Sequence, residues 1–180
     1  PKIAGLACTL GLLATAAASA ATVEITLGNP APGFGDGTVP ALVPDLLDAQ
    51  TGQPAPFDQG LGTELFQDAS ATFTFSFAPV PATDLVRSAR LTLGIADHDS
   101  QATGEQFAAL THGAGLDLTG TLNALAEARG GSDGEYNVYE VPLTALDGLT
   151  DGEETFSLLL AGPGLQTPLF GTGVQESAAN

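Results

Sequence analysis

The amino-acid sequence predicts an all-β domain: an antiparallel β-sandwich or jelly roll with one short helix. Three observations point there. Residues 71–77 alternate strictly, with Phe73, Phe75 and Phe77 on one parity and Thr72, Thr74 and Ser76 on the other, and residues 89–95 repeat the pattern with Leu91, Leu93 and Ile95. A period of two is that of a strand with one buried and one wet face. The runs are short and punctuated by Gly, Pro and Asp-Gly turns, which favours a sandwich over a helical or doubly wound fold. The length, 180 residues, suits one domain with its own core plus a short leader.

Residues 1–20 read as a secretory signal: Lys2 gives the positive start, an apolar run follows, and Ala18-Ser19-Ala20 is a small-residue cleavage signature. Cleavage after Ala20 leaves a sandwich domain over residues 21–180. The apolar run is shorter than the about 20 residues a membrane span needs, so a retained anchor is the second reading. Gly5 and the short run before Cys8 exclude a lipoprotein signal. The opening Pro1, in place of Met, reads as the start of a fragment.

Residues 22–27 form the first strand, with Val23, Ile25 and Leu27 on one face. Regular pattern then disappears over residues 28–68, which hold half of the twelve prolines and predict loop, with a single helical turn over 44–49. A loop of that length is expected to cover one end of the sandwich or to hide a strand. After the two alternating runs, residues 107–111 and 116–119 read as a hairpin. Residues 121–129 carry Leu122, Leu125 and Ala126 at helical spacing, with Gly130 as the stop. Strands are expected over 136–143 and over 155–161, the latter with Phe156, Leu158 and Leu160 inward. A weak strand is expected near Leu169 and Phe170. Residues 176–180 are polar and patternless, so the strand that should close the sandwich is missing and the C-terminus reads as cut short.

The charge is one-sided: 21 acidic residues against four Lys or Arg give a formal net charge of −17. Such a surface repels phosphate backbones and anionic membranes, whose recognition rests on Lys and Arg, so nucleic acid is excluded as a partner, and so is a membrane once the signal is cleaved. Carboxylates in excess favour solubility and divalent cations. Cys8, the one cysteine, lies in the leader, so neither disulfides nor thiolate metal sites hold the domain.

Asp97-His98-Asp99-Ser100, at the end of the second alternating run, is the one concentration of chemistry. Parity places Asp97 with Leu91, Leu93 and Ile95, so a strand continued that far carries a carboxylate onto the core face, where it needs a cation, hydrogen bonds or a raised pKa. Ca²⁺ suits such a site, with Asp97, Asp99 and Ser100 as ligands and Asp133, Glu135 and Asn137 as candidate distant ones. The spacing does not match a helix-loop-helix calcium loop. The competing reading is a turn cap, which Asp and Ser form readily. Gly130-Gly131-Ser132-Asp133-Gly134 matches the G-x-S-x-G elbow of serine hydrolases, but a helix precedes it and a strand follows, the reverse of that elbow, so no catalytic residue is assigned. His98 and His112 have no neighbours that argue for a triad. Tyr136 and Tyr139 fall on opposite parities, which leaves one of them exposed for stacking on a sugar.

The runs at residues 73–77, 89–95 and 136–143 resemble jelly-roll modules of secreted and surface proteins of bacteria, carbohydrate-binding-like ones among them, over residues 22–170. The resemblance implies the architecture and, in such modules, a structural calcium. The expected function is an exported, non-catalytic binding or adhesive module at the cell exterior or in the periplasm, with polysaccharide or a cell-surface component as partner. A secreted glycoside hydrolase using paired carboxylates and a structural subunit of an extracellular assembly are the alternatives.

Overall fold

The computed structural model describes residues 20–40, 43–60, 69–98, 106–113, 115–130 and 134–179. Its eight strands are β1 (Ala21–Gly28), β2 (Ala69–Ser76), β3 (Asp84–Ala96), β4 (Phe107–His112), β5 (Leu116–Asp117), β6 (Tyr136–Pro142), β7 (Glu153–Ala161) and β8 (Thr167–Ala179). They form two four-stranded sheets, in the orders β1-β8-β3-β6 and β2-β7-β4-β5. A long hairpin bent at the β4–β5 turn pairs β4 with β5, β3 with β6, β2 with β7 and β1 with β8, and all four antiparallel pairs are present. Rolling that hairpin up brings β8 onto β3 and β7 onto β4. The result is the expected jelly roll.

The alternation fixes the register. Phe73 and Phe75 of β2 are buried, and Thr72, Thr74 and Ser76 are exposed. Leu91, Leu93 and Ile95 of β3 and Phe156, Leu158 and Leu160 of β7 are wholly buried and share one core with the two phenylalanines. The β2 and β3 residues face each other from opposed sheets. Phe73 stacks on Phe156 at 5.6 Å between ring centroids, and Phe75 meets Phe156 edge-on at 5.9 Å. Phe77 lies just beyond β2 and is half-buried.

Three expectations need correction. Among the described residues there are two helices where one was expected, since the presumed single turn is a two-turn helix, α1 (Val43–Gln50); the expected helix is α2 (Thr119–Arg129), closed by Gly130 in the left-handed conformation at φ 64°. The closing strand is present: β8 is 13 residues long and lies between β1 and β3. Its disguise has a packing cause. A Cβ added at Gly171 would stand 3.1 Å from the Phe57 ring and 3.4 Å from Phe73, and one added at Gly173 would stand 3.3 Å from Phe75. The strand is glycine-rich where rings from the opposite side need its surface. Lastly, Tyr136 and Tyr139 are both buried, at 2% and 1% exposure. Tyr139 points into the core. Tyr136 lies on the outer face of its sheet, but α1 covers it there together with Leu46, Ala49, Ala96, Leu169 and Phe170.

The long connection between β1 and β2 does cover one end of the sandwich. Phe57 from it is fully buried and packs edge-on against Phe73 at 5.4 Å. The same connection blunts the β6 edge, because Gly37 N–H donates to the Tyr136 carbonyl, Tyr136 N–H to that of Thr38, and Val138 N–H to Asp36 Oδ1, each at 2.8 Å.

Candidate functional site

The two ends of the sandwich carry different chemistry. At the α1 end, β3 stops at Ala96, so Asp97 does not continue the strand's parity. It takes a positive φ of 57°, which Asp tolerates better than most residues. Its N–H donates to the Glu135 carbonyl at 2.8 Å, and its Oδ1 accepts from Gly134 N–H at 2.6 Å. Asp97 thus ties the end of β3 to the turn that opens β6. Asp99, Ser100 and Asp133 lie outside the described residues, as does Ser132 of the G-x-S-x-G stretch. Asn137 Oδ1 accepts from Arg129 Nε at 2.7 Å, and Arg129 Nη2 also reaches Asp36 Oδ1 at 2.6 Å. Among the described residues no group of three or more His, Cys, Asp or Glu side chains stands close enough to hold a metal ion.

His98, next to Asp97, is 2% exposed. Gln166 Nε2 donates to the Ala161 carbonyl at 2.9 Å, which turns its Oε1 toward His98 Nδ1 at 2.5 Å. The network therefore assigns the Nδ1–H tautomer. Burial holds the imidazole below its ordinary pKa range, against the Gln166 hydrogen bond and the Glu127 charge. His98 is a neutral packing residue at neutral pH.

Outside this buried corner lies an open cleft of about 550 Å³ between α1 and the strap of residues 29–40, with Asn29, Phe34, Val39, Pro40, Asp45 and Asp48 among its lining. Phe34 is half-buried and meets Tyr136 edge-on at 5.1 Å. Asp45 and Asp48 stand three residues apart on α1, so helical geometry sets both on one face, and both are exposed. Asn29 Nδ2 donates to the Ala49 carbonyl at 3.0 Å and its Oδ1 accepts from Ala31 N–H at 3.1 Å, which anchors the strap to the helix.

At the opposite end, β4 and β7 carry a pair that sequence reasoning missed. His112 continues the inward parity of Ala108 and Leu110, and Glu154 that of Phe156 and Leu158. Because His112 pairs with Phe156 across the ladder, Glu154 is its diagonal neighbour on the same face. The side chains meet, Nε2 to Oε2, at 6% exposure each. Parity assigned a core-facing carboxylate to Asp97, which leaves the strand instead; the core-facing carboxylate is Glu154 of β7, at the opposite end. The signal was present in the alternation, read two residues beyond each apolar run. The pair floors a cleft of about 310 Å³ that also touches Gly148, Asp151 and Glu153.

The chain matches no family model and no curated protein. Among the described residues no helix is long and apolar enough to cross a membrane.

Proposed function

We propose that this chain is a non-catalytic carbohydrate-binding module, exported to act at the cell exterior, and that it takes a segment of neutral polysaccharide in the cleft beside α1. The observation that carries the reading is the meeting, in one open cleft, of the Phe34 ring with the Asp45 and Asp48 carboxylates. A sugar ring offers apolar C–H faces for an aromatic side chain and hydroxyl donors for carboxylates, and a pocket of several hundred Å³ accommodates one or two rings. The net charge of −17 argues against acidic polysaccharides. Hydrolysis needs one carboxyl that keeps its proton through burial. Asp45 and Asp48 are exposed, which suits hydrogen-bond acceptance and not acid catalysis.

Calcium belongs to the same proposal, held by Asp97 with Asp99, Ser100 and Asp133. The Asp97–Gly134 hydrogen bond supports it, because it joins the two stretches of chain that carry these residues. Melting with calcium and with chelator, at matched ionic strength, tests this part.

For the binding reading, titration calorimetry with neutral oligosaccharides such as cellohexaose and chitohexaose is the experiment. Asp45→Asn together with Asp48→Asn should weaken binding at least tenfold, about 1.4 kcal/mol, without changing the melt. Absence of binding to every sugar tried would sink the reading, and release of reducing ends would replace it with the hydrolase.

A further inference from the structure

The His112–Glu154 pair has no part in the carbohydrate reading, and its surroundings indicate a separate role. Glu154 Oε2 is bound by His112, but Oε1 is buried with no hydrogen-bond partner among the described residues. An ionised carboxylate in that position keeps half of its acceptor capacity unmet, which is costly in a low-dielectric site. Its charged surroundings are unevenly distributed. His112 of β4 contacts it, Asp151 and Glu153 share its cleft, and Arg90 of β3 lines the small apolar cavity, about 30 Å³, on its other side. The walls contributed there by β1 and β8, including Val23, Ile25 and Gln175, bring no titratable group. The pair sits where the sheets are closed by the connection between β6 and β7. That connection is held by buried Leu149, whose carbonyl accepts from Gln175 Nε2 at 2.5 Å, and by the Gly152 carbonyl, which accepts from Phe77 N–H at 2.8 Å.

We propose that His112 and Glu154 form a proton-operated latch, which holds this end of the jelly roll shut while Glu154 keeps its proton and loosens it as the pH rises. Burial pushes the Glu154 carboxyl above the ordinary glutamate range; hydrogen bonding and charge from His112 oppose the shift and Asp151 adds to it. A carboxyl raised in the folded state keeps a proton that the unfolded chain at the same pH has released. Its stabilisation is complete below the ordinary glutamate pKa of about 4.3 and is lost as the pH climbs through the folded value. Loss of that proton leaves a buried anion beside Asp151 and Glu153, which strains the contacts that hold the adjoining β6–β7 connection.

Thermal unfolding of the whole chain and of Glu154→Gln, from about pH 4.5 to about pH 7.5 at fixed ionic strength, tests the latch. The acidic surface is common to both proteins, so their difference isolates the pair. The wild type should lose stability against the variant as the pH rises; a tenfold change in the folding equilibrium reads as about 3–5 °C in Tm. His112→Gln, which removes the group opposing the shift, should steepen the wild-type slope. Parallel curves for wild type and Glu154→Gln would overturn the proposal. Should either variant fail to fold, carboxyl ¹³C titration of the unaltered protein decides instead: Glu154 should deprotonate last among the glutamates, and titration together with the others would refute the latch. Hydrogen exchange locates the opening. The Gly113 amide, donating to Thr155 at 2.7 Å, and that of Phe77 should gain exchange with pH beyond the intrinsic rate, while the Asn29 amide at the far end, donating to Leu169 at 2.8 Å, should not. An equal response at both ends contradicts a local latch.

Discussion

The chain's two histidines stand at opposite ends of the same sandwich, both nearly inaccessible, yet their partners give them different work. His98 is held by the side-chain amide of Gln166, which is itself fixed by a backbone carbonyl. Every member of that chain is neutral, and burial keeps the imidazole so. His112 is held by a carboxylate whose second oxygen is unmatched. Similar burial thus favours a neutral imidazole contact at one end and, at the other, a contact to a carboxyl that burial holds above the ordinary glutamate range. What decides is the partner's charge and whether all of its lone pairs are met.

The largest effect expected from probing this contrast is at the plugs that close the ends. Phe57 fills the α1 end at 0% exposure and Leu149 the other at 2%. Phe57→Ala should cost about 3–5 kcal/mol, measured by denaturant unfolding. Leu149→Ala should cost about 2–5 kcal/mol, and its cost should vary with pH because it sits over the latch. A pH-independent cost at both sites would erase the distinction between the ends.

Next in size is Gln166→Leu, which strips His98 Nδ1–H and the Ala161 carbonyl of their partner together. One buried donor and one half-buried carbonyl deprived of this partner should cost about 2–4 kcal/mol. Glu154→Gln, by contrast, should be mild in acid and become stabilising relative to the wild type toward neutral pH. Each network leaves one buried atom without a partner among the described residues, His98 Nε2 and Glu154 Oε1, so the two changes separate a neutral network from one that holds a carboxylate. The smallest expected effect is at the wet face of β2: Thr74→Ala gives up one exposed hydroxyl contact with Thr155, 2.9 Å long, and should stay within about 0.5 kcal/mol.

Alternation made most of the fold legible. The parities of Phe73 and Phe75, of Leu91 to Ile95 and of Phe156 to Leu160 are a direct image of the core, since each strand has one wet face. β8 was hidden because Gly171 and Gly173 are shaped by rings distant in sequence, and a strand whose side chains have been removed to make room has no pattern of its own. Phe57 was hidden for a related reason: a plug from a connection packs without periodicity. His112 and Glu154 did lie on the right parities, but a polar residue at the end of an apolar run reads as the strand leaving the core. Asp97 illustrates the reverse. Its parity pointed inward, and a single left-handed residue turned it aside to cap Gly134. The α1 cleft could not be read at all, because Phe34, Asp45 and Asp48 meet only through the path of a proline-rich connection.

Binding is proposed at the α1 end and proton response at the His112 end. Amide chemical-shift mapping of the uniformly labelled chain with a neutral oligosaccharide such as cellohexaose examines both ends at once. The perturbed amides should lie in residues 29–40 and 43–49, around Phe34, Asp45 and Asp48, with those of His112, Gly113 and residues 151–155 unmoved. Perturbation centred on His112 and Glu154 instead would place the sugar in the cleft that this account gives to the latch, and would contradict it.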